Sequence, residues 1–291
     1  MKVFSQVKRI LWIILFLNLA VAAVKIIVGY LLIQSSSLTA DGYHSLTDGA
    51  SNIVGLIGIQ LASRPVDDDH PYGHRKFETL SGLLISGVLF TLGFKVLIEG
   101  MQKFINPVAP KVSMESLIAL VATLIINIFV SKLEYKKGME LNSQILISDS
   151  LHTRSDIFIS LGVLITLVGI MLGLPPLLDP LVSLVVAGFI FHASYEIFVM
   201  NRDILVDKAV IQEEKIKKIT MSFDEVKDTH SIRSRGSKSA LFIDMHIMTK
   251  PDLSVEESHQ LIHKIEDQIR QDIDENAQIT AHLEPFEDNA V

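Results

Sequence analysis

The chain has 291 residues, 49% of them hydrophobic, and its mean hydropathy is +0.40. This composition is too apolar for an ordinary soluble protein, and it indicates a membrane protein. There are no cysteines, which excludes disulfides and thiolate ligands, so a metal site must use His, Asp, Glu or backbone oxygen. The net charge of −7 argues against nucleic acid as a partner.

Six apolar stretches are long enough to cross a hydrocarbon core of about 30 Å, which takes roughly 20 residues. The first is too long for the apolar region of a signal peptide, and no small-residue cleavage site follows it, so it is predicted to be a true span. The six predicted spans are residues 10–33, 38–62, 80–103, 113–132, 145–172 and 177–200.

Basic residues are concentrated in the N-terminal segment and in the connections between spans two and three and between spans four and five. The short turns near 35–37 and 173–176 carry none. The positive-inside rule therefore predicts that both termini lie in the cytoplasm of a bacterial inner or plasma membrane. In this interpretation residues 1–9 are a cytoplasmic tail, and residues 10–203 are the six-helix transmembrane domain.

The pattern changes after the last span, because residues 207–291 hold 18 of the 33 acidic residues and 11 of the 26 basic ones. Ser254 followed by Glu257 is typical of a capping box at a helix start. The order αββαβ predicts a ferredoxin-like or metallochaperone-like α+β domain in the cytoplasm, with both helices on one face of the sheet. The predicted helices are 211–222 and 254–273, and the predicted strands are 226–233, 239–248 and 278–283.

Spans two and five share the pattern Asp-x-x-His-x-x-x-Asp. Ionisable groups inside a span are costly and usually mark an ion pathway, and spacing of i, i+4 places each His and the following Asp on one helix face. The copies lie three spans apart, so the two halves form an inverted 3+3 repeat, which places matching residues near the membrane midplane. The predicted transport site consists of His44, Asp48, His152 and Asp156.

Two imidazole nitrogens and two carboxylates make a tetrahedral set that suits Zn²⁺. The alternative is a set of polar packing residues, but that does not explain two matched pairs in an inverted repeat. The leading aspartates, Asp41 and Asp149, lie one turn earlier. They could orient the ligands, carry protons or lie near a helix end as simple cap-region carboxylates.

With these motifs the sequence resembles the cation diffusion facilitator family over nearly the whole chain. The resemblance implies a homodimeric antiporter, embedded in membrane lipid, that moves a divalent cation out of the cytosol in exchange for protons. Zn²⁺ would be the substrate and a regulatory ligand, and no cofactor is expected. In this family the first ligand position of the span-two motif is Asp or His, and His44 resembles the zinc-preferring branch more than the manganese branch.

The resemblance also implies two further groups of metal ligands. The loop between spans two and three matches the family's second metal site at Asp67, His70 and His74, although an acidic loop that only concentrates cations is the alternative. Lys76 and Glu78, just after this loop, are interpreted as structural ion-pair residues. The predicted ligands of the cytoplasmic domain are His230, His246, His259, His282 and Glu284, and the neighbouring His263 has no counterpart.

Other functions stay open at this point. The chain could export Mn²⁺ or Fe²⁺, or Cd²⁺ or Co²⁺, instead of Zn²⁺. An intramembrane zinc hydrolase is a second alternative, but the sequence has no His-Glu-x-x-His motif and four ligands would fill the shell that catalytic zinc keeps open. A membrane metal sensor without transport does not explain four ligands within the bilayer. We therefore expect a secondary transporter, in which metal binding to neutral imidazoles and charged carboxylates releases protons.

Overall fold

A computed structural model describes residues 2–27, 49, 51–105, 114–175, 177–237 and 240–286. The chain divides into two compact units, Met1–Arg202 and Asp203–Val291. The first unit is built from helices and the second from helices and a small sheet, which confirms the predicted fold class.

The helices of the first unit include five that are long and apolar enough to span a membrane, with mean hydropathies of 1.7 to 2.0. Large apolar side chains such as Phe16, Ile125 and Phe129 are more than 60% exposed on them, as expected for surfaces that face lipid. The helices are α1 (Lys2–Ile27), α2 (Ser51–Ala62), α3 (Lys76–Ile105), α4 (Met114–Glu140), α5 (Gln144–Met171) and α6 (Leu178–Leu205).

The helix bounds differ from the predicted spans at two places. Residues 2–9, predicted as a tail, form the first turns of α1. Helix α4 continues to Glu140 instead of ending at 132, because its Lys and Glu residues lower the hydropathy but are good helix formers. Most of the predicted second span, including Asp41, His44 and Asp48, lies outside the described residues.

The N-terminal half of α5 occupies the interior of the first unit. Ile145 and Leu146 pack with α1 and α2 through residues such as Leu11 and Ile59. One to two turns later, Leu151 packs with Ile85 and other residues of α3 and α6. The helix that carries the second copy of the repeated motif is therefore held on several sides by apolar contacts.

The second unit has the predicted αββαβ order. The strand order is β1-β2-β3, in which β1 and β2 are antiparallel and β2 and β3 are parallel. Ser254 and Glu257 form the predicted capping box. The elements are α7 (Glu213–Thr220), β1 (Val226–Ser237), β2 (Ala240–Thr249), α8 (Val255–Asp272) and β3 (Gln278–Pro285).

One apolar core joins the two helices of this unit to the sheet. Ile216 of α7 and Ile265 of α8 are fully buried in the same cluster as Ile243 and Ile247 of β2. Because strand side chains alternate between faces, the even-numbered side chains of β2 lie on the other face. Both helices thus cover one face of the sheet, and among the described residues of this unit no helix covers the second face.

Candidate metal sites

The α5 half of the predicted transport site lies in a cavity within the helical unit. His152 is 5% exposed, and it lines this cavity together with Asp156, one turn later on the same helix face. Polar groups from α1, α2 and α4 complete the lining among otherwise apolar helices. The lining residues are Asn18, Val21, Ser51, Thr123, Ile126, Asn127, His152, Thr153 and Asp156.

A chain of amides holds Asp149, the leading aspartate of the α5 motif. Asn18 Nδ2 of α1 donates to Asn52 Oδ1 of α2 at 2.9 Å, and Asn52 Nδ2 donates to Asp149 Oδ2 at 2.5 Å. Asp149 is only 1% exposed. It therefore ties α5 to two neighbouring helices one turn before His152.

A second buried carboxyl, Glu134 of α4, lies beside Asp149. Glu134 accepts a hydrogen bond from Thr153 Oγ1 at 3.0 Å and its carboxyl group faces that of Asp149. Glu134 Oε1 and Asp149 Oδ1 are buried without a donor among the described residues. Two neighbouring carboxyl groups repel each other when both are charged, so the geometry fits a pair that holds one proton.

Sequence reasoning missed Glu134 because the fourth span was predicted to end at residue 132. The signal that could have found it is the run of helix-forming residues after that point, which continues the helix by two turns.

The loop between α2 and α3 brings all three of its predicted ligands together. Asp67 Oδ1 lies 3.0 Å from His70 Nδ1, and Asp67 Oδ2 lies 3.3 Å from His74 Nε2. One ligand atom from each residue falls within a span of 4.8 Å. Gly73, with φ of +84°, makes the tight turn between the two histidines. This arrangement is of the right size to hold one cation.

The charge state of Asp67 suits a metal ligand. Desolvation acts to raise the pKa of this carboxyl, but it is outweighed by hydrogen bonds from the ring and backbone N–H of His70 and by the charges of His74 and His70. The pKa of Asp67 therefore lies below its ordinary value, and the carboxylate is ionised at neutral pH. His74 is buried whereas Asp67 and His70 are about half exposed, so the site opens to solvent on one side.

Three histidines form a row across the sheet of the second unit. His230 of β1 pairs with His246 of β2, which pairs with His282 of β3. Glu284 Oε1 lies 2.7 Å from His246 Nδ1, and Glu284 Oε2 lies 3.4 Å from His230 Nε2. His282 Nε2 is 3.9 Å from Glu284. Four of the five predicted ligands thus lie together on the face opposite the core.

His259 does not join this group. It lies on α8, where its Nε2 is 3.1 Å from Nε2 of His263, and His263 Nδ1 is 3.5 Å from Glu266. Because α8 packs on the core face and the row lies on the other face, the sheet itself separates His259 from the row. The five predicted ligands of this domain therefore do not form one cluster within a single chain.

Glu78, interpreted from the sequence as a structural ion-pair residue, accepts hydrogen bonds from the start of α5. Its carboxylate is buried, and Oε1 accepts hydrogen bonds from Ser143 Oγ at 2.5 Å and from the backbone N–H of Ile145 at 3.2 Å. These donors belong to the first turn of α5, so Glu78 connects the start of α3 with the start of α5.

Comparison with known families agrees with this architecture. The family model described as the cation efflux transmembrane domain matches residues 11–206, and the model described as the cytoplasmic domain of cation efflux proteins matches residues 210–286. The chain belongs to the cation diffusion facilitator family. It is therefore a cation efflux transporter of the membrane rather than an enzyme.

Individual cation diffusion facilitators resemble the chain over most of their length. It is 30% identical over 250 residues to the uncharacterized transporter MJ0449 of Methanocaldococcus jannaschii, covering 84% of this chain and 86% of that protein. It is 29% identical over 288 residues, or 96% of both chains, to the manganese efflux system protein MneP of Bacillus subtilis. It is 26% identical over 255 residues to the cation-efflux pump FieF of Shewanella oneidensis, covering 87% and 86%. Of these three names, only that of MneP specifies a cation.

Proposed function

We propose that this facilitator exports Zn²⁺ from the cytosol in exchange for protons. The observation that carries the proposal is the cavity in which His152 and Asp156 lie on one face of α5, among polar groups of three other helices. A buried imidazole and carboxylate one turn apart offer a nitrogen and an oxygen ligand to one cation. The matching motif supplies the other two ligands, His44 and Asp48.

The choice of metal follows from the ligand types. Imidazole nitrogen favours zinc, whereas manganese prefers sites made of oxygen. A set with two histidines therefore supports Zn²⁺ over Mn²⁺. The main rival is manganese export, because the relative MneP is named a manganese efflux protein and covers nearly all of this chain.

Two groups of residues are proposed to bind the protons that are exchanged for the cation. Protons compete with the cation for His152 and its partners, since ligands must lose their protons to bind metal. We further assign a proton-carrying role to the pair of Asp149, on the ligand helix α5, and Glu134, on the neighbouring α4. One shared proton lowers the charge of the two carboxyl groups from −2 to −1 in a medium where an uncompensated charge is costly.

The two remaining clusters are proposed as regulatory metal sites in the cytoplasm. The loop cluster Asp67–His70–His74 lies on the side that the positive-inside rule assigns to the cytosol. The sheet cluster of His230, His246, His282 and Glu284 lies on a face that none of the described helices of its unit covers. A homodimer is proposed as the working form, supported by the match to the cytoplasmic domain of cation efflux proteins.

The test is metal uptake into sealed proteoliposomes with an imposed pH gradient. The wild type is expected to move Zn²⁺ faster when protons flow in the opposite direction, and Asp156→Ala is expected to lose transport. Glu99→Ala is the matched control, because it removes an exposed carboxylate from another membrane helix. Retained transport in Asp156→Ala would contradict the assignment of the transport site. A Zn²⁺ flux that does not depend on the pH gradient would contradict proton antiport.

Competition between metals tests the choice of cation in the same vesicles. Excess Mn²⁺ is expected to leave Zn²⁺ uptake nearly unchanged. If Mn²⁺ is carried and Zn²⁺ is not, the chain is a manganese exporter.

A further inference from the structure

The first turn of α5 is capped by a residue from another helix. Ser143 is the residue before α5, but its hydroxyl makes no capping bond to its own helix. It donates instead to Glu78 Oε1, and the backbone N–H of Ile145 donates to the same oxygen. Glu78 thus takes the place that a Ser or Asp side chain usually fills at a helix start.

The N-terminus of α5 favours a carboxylate such as that of Glu78. The first N–H groups of a helix have no partner within the helix, and that end carries partial positive charge. A carboxylate placed there accepts hydrogen bonds and faces a favourable dipole. Ser143 and Glu78 are both buried, so removal of the carboxylate leaves donors without water to replace it.

Glu78 also belongs to the turn that holds the loop cluster. The backbone N–H of Phe77 donates to the carbonyl of His74 at 3.0 Å, and that of Glu78 donates to the carbonyl of Arg75 at 3.0 Å. His74 is therefore one turn before Glu78 in a hydrogen-bonded segment. The buried His74 ring also stacks on Phe77, with ring centroids 5.9 Å apart. A cation held by His74 is therefore bound to the same turn that positions Glu78.

Helix α5 links the contact with Glu78 to the cavity that holds His152 and Asp156. His152 lies seven residues after Ile145 on the same helix, which is roughly 10 Å at 1.5 Å per residue. Helix α5 is continuous from Gln144 to Met171, so a shift or rotation of its first turn is passed to His152 and Asp156.

We infer that Glu78 is a positioning residue through which a cation at the loop cluster holds α5, and with it His152 and Asp156, in place to bind the transported cation. The inference rests on the proposed function, since it assigns a regulatory effect to the loop cluster and a route to the transport site. A cation at Asp67, His70 and His74 fixes the turn before α3, Glu78 fixes the start of α5, and the cavity ligands follow.

A double-mutant cycle tests this route by Zn²⁺ uptake into proteoliposomes. His70→Ala removes an exposed loop ligand without touching the bonds of Glu78. Glu78→Gln keeps the size of the side chain and one oxygen acceptor but removes the charge. Each single variant is expected to raise the KM for Zn²⁺ by about fivefold or more, as for a typical coupling between sites, while leaving the maximal rate nearly unchanged.

The double variant distinguishes coupling from two separate defects. If Glu78 carries the effect of the loop, the double variant has a KM no higher than that of the worse single variant. If the two increases in KM multiply, the residues act independently and the inference is wrong. Glu99→Gln, an exposed carboxylate of the same helix, is expected to leave KM unchanged in either background.

Two further measurements keep the outcome clear. Should Glu78→Gln fail to fold, Ser143→Ala removes only one donor to Glu78 and is expected to show the same lack of additivity with His70→Ala. A wild type that transports no divalent cation would overturn the proposed function itself. A wild type that transports Zn²⁺ with multiplying KM increases would overturn only the coupling through Glu78.

Discussion

Asn52 of α2 donates a hydrogen bond of 2.5 Å to Asp149 of α5, and both residues are almost completely buried. The acceptor belongs to the α5 copy of the repeated motif, and the donor lies four residues after Asp48 in the sequence. The contact therefore fixes the spacing of these helices next to His152, and it supplies one of the few donors available to a carboxyl inside the helical unit.

Replacement of Asn52 by Ala is expected to destabilise the protein. The change leaves a buried carboxyl without one donor, which costs about 1–3 kcal/mol. Thermal unfolding of the purified protein in detergent should show a lower Tm. Gln60→Ala, which removes an exposed amide from the same helix, is the matched control, and an equal drop in both variants would contradict the prediction.

Glu134→Gln tests the shared proton. A glutamine amide can donate to Asp149 without a proton from solvent, so the variant is expected to fold and to bind Zn²⁺. It should, however, move fewer protons for each cation, because one of the two carboxyl groups is lost. The measurement is the ratio of proton to Zn²⁺ flux in proteoliposomes. An unchanged ratio would show that Glu134 does not carry a transported proton.

The loop cluster has a defined dependence on pH. Because the pKa of Asp67 is lowered from 3.8, its contribution to folded-state stability is present above that ordinary value and is lost as the pH falls through the lower folded-state pKa. Asp67 is thus ionised throughout the range from about pH 5 to 8. We expect Asp67→Asn to weaken cation binding at the loop at every pH in this range.

Co²⁺ absorbance, titrated at several pH values, measures this binding directly. The neighbouring change Asp69→Asn, in the same acidic stretch, is the control and should have little effect. Equal Co²⁺ affinity of the wild type and Asp67→Asn at these pH values would contradict the prediction.

The sheet row and the α8 pair should behave differently. His246 is the central member of the row and contacts Glu284, so His246→Ala is expected to abolish cation binding at the sheet. His259→Ala should leave that site intact, since His259 lies beyond the sheet. Calorimetric Zn²⁺ titration in a His70→Ala background measures both, and loss of the same site in His259→Ala would show that a second chain supplies His259 to it.

Much of the fold follows from hydropathy and periodicity. The predicted bounds of spans three, five and six lie within five residues of the ends of α3, α5 and α6. An apolar run of that length forms few structures other than a membrane-spanning helix. The αββαβ order also follows, since the alternation in β2 and the capping box at Ser254 are local signals. The end of α4 was missed because polar helix formers extend the helix beyond its apolar part.

The contacts of single carboxyl groups depend on tertiary structure instead. Nothing near Glu78 in the sequence indicates that its partner is Ser143, which lies 65 residues later. Likewise, the position of Glu134 beside Asp149 depends on how α4 packs against α5. The proximity of Asp67, His70 and His74 could be expected from the sequence, because all three lie in one short loop.

The cap on α5 has a consequence for synthesis in the cell. Glu78 leaves the ribosome 65 residues before its partner Ser143, which corresponds to roughly 3–13 s at a translation rate of 5–20 residues per second. During this interval the carboxylate has no helix start to contact, so it must stay hydrated at the membrane surface. The first part of α3 thus becomes fully buried only after α4 and α5 have been synthesised and pack against it. The insertion of α3 into the membrane therefore precedes its packing.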